Sequence, residues 1–303
     1  VGLLSRNIVI QGDSVTSLAS GLGGHVMVMA GAVGRVEGVE LTRMGQKQQL
    51  ARYPMHWHMA GNVAGQYFKS NAVWKTFNRC LTIHGTNDLV ASGNVCYDNI
   101  GHAFFLEDGA ETGNTLENNL GLATRRPATG EEVLPSDVNP ATYWITNPDN
   151  TYRGNVAAGS RGFGFWFALP TAPTGLSVGA PAKPRATPLR EFSNNVAHSN
   201  RNTGLNVDNG PKLDGTTETA HYAPRQVPGD NSSPIVTAVF RNFIGYKSAG
   251  RAVWLRGTSL RLESPILADN HIGATFASSE TFIQDGLLIG QTANSPTPFS
   301  RNF

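Results

Sequence analysis

One short cassette recurs along the chain: an apolar strand, a turn containing asparagine, a glycine, then a second apolar strand. It runs as LVASGNVCYDNIGHAFFLEDG over 89–109, YRGNVAAGSRGFGFWFALP over 152–170 and FSNNVAHSNRNTGLNVDNG over 192–210. It returns as FRNFIGYKSAGRAVWLRG over 240–257 and, weaker, as LADNHIGATFAS over 267–278, while AVWKTFNRCLTIHG over 72–85 has a similar outline. A unit this short cannot bury its apolar face alone, so imperfect repetition of it points to a solenoid in which each unit stacks on the next. Asparagine tolerates left-handed backbone and bonds its own turn, which suits a corner repeated on every coil. The expected fold is therefore all-β, a parallel β-helix, with stacked asparagines forming a ladder along its axis. A propeller or sandwich is the alternative, but the two-residue Asn-Gly hairpins that a sandwich favours are missing.

Three stretches interrupt the rhythm: 127–150, 170–190 and 209–234, all rich in turn formers. Connections this long are functional or disordered more often than not, and on a solenoid they wall a groove. The 303 residues, 40% hydrophobic and 15% charged, allow one elongated domain over 1–303, read as a piece of something longer. A net charge of +2 gives no reason to expect nucleic acid, yet leaves room for a local basic patch that grips an acidic polysaccharide. No apolar run approaches the ~20 residues of a membrane span, and VGLLSRNIVIQG at the start reads as a strand, not a signal peptide. Cys80 and Cys96 read as small core residues within strands, with a disulfide between them as the less favoured alternative.

The candidate chemistry lies early. RYPMHWHMAG, 52–61, holds His56 and His58 two residues apart, so on a strand both rings leave the same face about 6.5–7 Å apart. His84 in CLTIHG and His102 in GHAFFLEDG follow, and Glu107 and Asp108 end the strand that His102 begins. Adjacent coils of a β-helix are about 4.8 Å apart. With coils of about 20–26 residues, His58, His84 and His102 would be neighbours. His56, His58 and His84 are the candidate metal ligands, zinc being the usual occupant of a nitrogen-rich site. Without a metal, His84, His102, Glu107 and Asp108 would serve as general acid and base. Arg52, Lys75, Arg79 and Arg125 are candidate partners for sugar carboxylates, and Trp57 a stacking platform. His25, His198, His221 and His271 are read as structural, and FGFWFALP as core plus cap.

Several of these blocks resemble a known family. RYPMHWHMAG, FNRCLTIHG, GHAFFLEDG and VLPSD resemble the β-helical region of the cell-migration-inducing and transmembrane hyaluronidases. YWITNPDNTYRGNVAAGSRGFGFWF is more similar to the matching region of the fibrocystin-like receptors, and VGLLSRNIVIQGD resembles the strand that follows their G8 domain. The resemblance covers 1–170 in order. It implies an extracellular or cell-surface right-handed parallel β-helix that cleaves or binds hyaluronan, with a calcium dependence. The divalent metal expected is thus zinc or calcium. The hyaluronidase arm implies a glycosidase or lyase; the fibrocystin arm implies a non-catalytic glycan- or protein-binding scaffold.

Overall fold

A computed structural model describes residues 2–295. Three long parallel sheets run through it. Among the described residues the first sheet has ten strands, from Ile8–Gln11 to Leu287–Ile289. The second has nine, from Val26–Met29 to Ile272–Ser279, and the third nine, from Arg35–Glu37 to Phe282–Gln284. The chain visits them in rotation, so each strand pairs with its counterpart one coil away; this is a parallel β-helix. The four full sequence cassettes each prove to hold three short strands where two were expected, whereas 72–85 and 267–278 hold two. In 89–109 these are Val90–Ser92, Val95–Tyr97 and Phe104–Leu106, one per sheet.

The corners explain the repeated asparagines. Between the third and first sheets the chain turns through one left-handed residue, such as Asn118 (φ 55°) or Gly154 (φ 64°). The next residue is a buried asparagine: Asn71, Asn94, Asn119, Asn155 and Asn195 on five successive coils. Each of the first four donates its backbone N–H to the side-chain oxygen of the next, at 2.9–3.0 Å. Each side-chain amide also bonds the next asparagine, so the stack is continuous from coil to coil. The sequence steps are 23, 25, 36 and 40 residues, the long coils being those that carry insertions.

Asn119 accepts from Asn94 and donates to Ala91 O and Asn155 Oδ1, both at 3.0 Å. Asn119→Ala strands these buried partners, each worth about 1–3 kcal/mol. A lowered urea midpoint with unchanged β-sheet circular dichroism is the expected result; an unchanged midpoint would mean that the ladder is decorative.

Inward-facing aromatics stack in the same register. Phe104, Tyr143 and Phe165 lie face to face with centroids 4.7 and 4.5 Å apart, an axial column inside the second sheet. Two sequence readings need correction here. The stretch 127–150 is not one connection, because Ala141–Ile145 within it is a wholly buried strand of the second sheet. The β-branched and aromatic residues of ATYWI fit a pleated, buried position. Cys80 and Cys96 are fully buried, as read, but they are joined by a disulfide, with Cα atoms 6.1 Å apart. The bond ties the entry of a second-sheet strand to the first sheet of the coil that follows.

Candidate functional site

The outward face of the second sheet carries the chemistry. In Met55–Asn62, alternation sends Trp57 inward and His56 and His58 outward. Parallel pairing with Leu81–Asn87 sets His58 directly beside His84 and Trp57 beside Ile83. The three imidazoles offer ring nitrogens that all lie within 4.8 Å of one another. The rings of His56 and His84 are parallel at 5.9 Å, and His58 stands edge-on to both. Nδ1 of His58 is 3.2 Å from Nδ1 of His84.

The next coil supplies carboxylates. Nε2 of His84 is 2.7 Å from Asp108 Oδ2, and Nδ1 is 3.4 Å from Glu107 Oε2. Burial pulls the His84 pKa down, but the Asp108 hydrogen bond and the charges of Glu107, Asp108 and Glu111 outweigh it and carry it to about 9. Protonated His84 therefore donates Nε2–H to Asp108. His56 goes the other way: burial, then His58 and His84, push it to about 3. Burial and His84 also lower His58. Glu107 is raised to about 7, chiefly by burial and against the pull of His84. Tyr53 OH stands 3.4 Å from Glu107 Oε1, and Glu111 accepts from Gly85 N–H, Asp108 N–H and Gly109 N–H.

All three long connections converge here. A cleft of about 300 Å³ is lined by Glu107 and Asp108 on its floor, Leu134–Ser136, Thr174 and Gly175, and Pro211–Gly215. The second connection is pinned to the site itself. Ser177 N–H donates to Asp108 Oδ2 at 3.1 Å, and Thr174 N–H to Asp108 O at 2.9 Å.

Comparison with known proteins gives this arrangement a kinship. Residues 21–205 match the family described as CEMIP beta-helix. The chain belongs to the CEMIP β-helix family. It is 36% identical to human cell surface hyaluronidase CEMIP2 over 97% of this chain and 26% of that protein. It is 35% identical to the human cell migration-inducing and hyaluronan-binding protein, over 100% of this chain and 27% of that one. With mouse fibrocystin-L it shares 33% identity over 89% of this chain and 7% of the other. The chain thus spans about a quarter of the length of the first two relatives.

Within this CEMIP-type helix, the remaining residues expected at the site fall elsewhere. His102 is fully buried in a separate outer layer, tilted against Trp144 with ring centroids 4.2 Å apart and parallel to Phe105. Its Nδ1 accepts from Ala141 N–H, and its Nε2 meets Ser136 Oγ at 3.0 Å. Both nitrogens are engaged in packing the first connection, so His102 is not brought to His84. Trp57 is in the core with its N–H on Gln66, and Arg79 is fully buried against Asp137; neither can touch a sugar. Lys75 lies over Trp74 on the first sheet. Arg125 pairs with Asp98 and lines a different groove with Arg126, Arg161 and Arg201. Arg52 remains near, exposed beside His25, whose pKa is lowered by burial and by this charge. Sequence reading passed over Tyr53 and Glu111. A signal existed for Glu111, since EDGAE packs three acids into 107–111.

The pKa of His102 is held near 3, by burial foremost, with Asp137 opposing and Arg79 assisting. The unfolded chain takes up this proton below about pH 6.5 while the fold refuses it, so stability is full above that pH and declines toward 3. By pH 5 the loss is about 2 kcal/mol. His102→Asn keeps an acceptor for Ala141 and removes the titration. The stability gap between wild type and variant, from urea melts, is expected to narrow from pH 7 to 5; a constant gap would overturn the assignment.

Among the described residues, no helix is long and apolar enough to cross a membrane.

Proposed function

We propose that this chain is the catalytic β-helix, a single domain, of a longer extracellular or cell-surface protein that depolymerises hyaluronan or a related acidic glycan. The observation that carries the reading is the cluster of His56, His58 and His84, joined through His84 to Glu107 and Asp108, the two carboxylates on the floor of a cleft walled by three loop insertions. Relatives named as a cell surface hyaluronidase and as a hyaluronan-binding protein support the substrate class. The Cys80–Cys96 disulfide supports an oxidising, extracellular setting.

The donor set fits a transition ion such as zinc. Nε2 of His56 is buried without a partner among the described residues, and Asp108 holds the far nitrogen of His84, as carboxylates do for metal-binding imidazoles. It does not fit calcium, which takes about six to eight oxygens. When bound to His56, His58 and His84, such an ion would supply Lewis acidity toward a substrate oxygen.

The protein's own groups divide the remaining work. Glu107, with its pKa near 7, keeps a proton available at neutral pH for a leaving sugar oxygen. Asp108 orients His84. The second connection, fixed to Asp108, fixes one wall of the cleft.

The test is incubation of the purified protein with hyaluronan, reading chain length by size-exclusion chromatography and new ends by mass spectrometry. Shortened chains with saturated ends are the signature of hydrolysis; an unsaturated uronate, which absorbs in the ultraviolet, is that of elimination. Tight binding with unchanged length would replace catalysis by a scaffold role, the reading that the similarity to fibrocystin-L favours.

A further inference from the structure

The outward column that contains His56 does not end at the cleft. Register carries it through Thr82, Phe105, Trp144, Trp166 and Asn206 to Trp254. Its middle members are covered by the connections, but at Asn206 and Trp254 it opens again. A second, polar cleft of about 350 Å³ lies there, lined by Asn206, Asp208, Arg251, Trp254 and Arg256. The Gly210–Pro211 and Thr217–Glu218 hairpin carries Pro211 into the first cleft and stands between the two.

The floor of this second cleft is built, with one position left open. Asp208 is 5% exposed and saturated: it accepts from Trp254 Nε1 at 2.9 Å and Arg256 Nε at 2.8 Å, and from Asn209 and Ala220 N–H. That fixes the indole and neutralises Arg256. Arg251 lies 4.9 Å from the centroid of the same ring, and among the described residues its side chain bonds only Thr275 Oγ1, through Nε. Among the described residues it has no carboxylate partner. Asn206 is also 5% exposed, and its side-chain NH₂ has no partner among the described residues. A buried amide donor left unmade costs free energy comparable to a lost hydrogen bond.

We infer that this cleft is a distal subsite for a uronate-bearing sugar, its ring against Trp254, its carboxylate on Arg251 and an oxygen on the Asn206 amide. An aromatic face accepts the apolar side of a pyranose, and a guanidinium forks onto a carboxylate. The proposal rests on the reading that this face binds acidic glycan, and it adds a length requirement. From the strand of His84 to that of Trp254 is five strand steps, Leu81–Asn87 to Arg251–Thr258, or about 24 Å. Only a long oligosaccharide spans both clefts.

The test is titration calorimetry of long hyaluronan oligosaccharides against His84→Ala protein, which prevents turnover, with and without Arg251→Ala or the isosteric Asn206→Asp. Each second substitution is expected to weaken binding about tenfold or more, the weight of a charge-assisted hydrogen bond, with the melting temperature of the Arg251→Ala protein unchanged. In the His84-intact background, cleavage of a tetrasaccharide is expected to be untouched. Equal affinity in all variants would overturn the subsite and leave the proposed function standing. If hyaluronan is not bound by wild type either, the substrate assignment fails, and polygalacturonate and alginate are titrated next. Arg251-dependent binding of either uronate polymer would sustain the subsite; binding of none would overturn it.

Discussion

His84→Ala is expected to lower hyaluronan cleavage by about 10²–10⁴, the range that a positioned acid–base group contributes, while the protein stays folded. The imidazole is the hub of the site: Nδ1 faces His58 and Glu107, and Nε2 faces Asp108. Its loss removes a candidate ligand and the cation that offsets two carboxylates. The fold should survive, because the side chain is on the outer face of the second sheet, and the ladder and aromatic column lie elsewhere. Asp108 also keeps its contact with Ser177 N–H. Metal content by mass spectrometry, wild type beside His84→Ala, supplies the second readout. About one equivalent of a transition metal in wild type, lost with His84, would establish the ion site. Wild-type cleavage by the variant would end the catalytic reading. Global unfolding of the variant would make His84 structural, and His58→Ala, at a more exposed position, would then carry the test.

Much of this was legible before the structure, and the failures share a cause. Repetition and asparagine corners dictated a β-helix because both follow from local backbone preference. The grouping of His56, His58 and His84 followed from strand parity plus one coil of separation. Parity should also have excluded Trp57 as a sugar platform: if its two neighbours face outward, it must face the core. His102 was misplaced by counting. His84 meets Asp108, 24 residues on, whereas His102 is only 18 residues on and falls in the bend before the strand. The Cys80–Cys96 bond crosses a coil interior with a separation of 16 residues, a distance that no repeat phase predicts. Arg79 resembled a surface cation because its partner, Asp137, sits 58 residues away in an insertion that has no counterpart in the repeat.

That buried pair carries the other large expectation, on stability. Arg79 and Asp137 form an ion pair with side chains 0% and 1% exposed. The guanidinium lies 4.4 Å from the Phe105 ring centroid, and Asp137 also accepts Leu134 N–H at 2.9 Å. Burial alone would raise the Asp137 pKa, but Arg79 and His102 overcome it and hold it below the usual range, so the carboxylate stays ionised as the acid limit of the fold is approached. Arg79→Met leaves Asp137 charged, buried and unpaired, which costs about 3–5 kcal/mol. The damage should be local as well as global, since Asp137 anchors the connection that supplies Leu134–Ser136 to the cleft above Glu107 and Asp108. Replacing both members, Arg79→Met with Asp137→Leu, removes the stranded charge, so much of the loss should return in urea melts. A double variant as unstable as the single would show that the pair acts through its hydrogen bonds to the loop, and proteolysis between 127 and 140 would then report the loop's release.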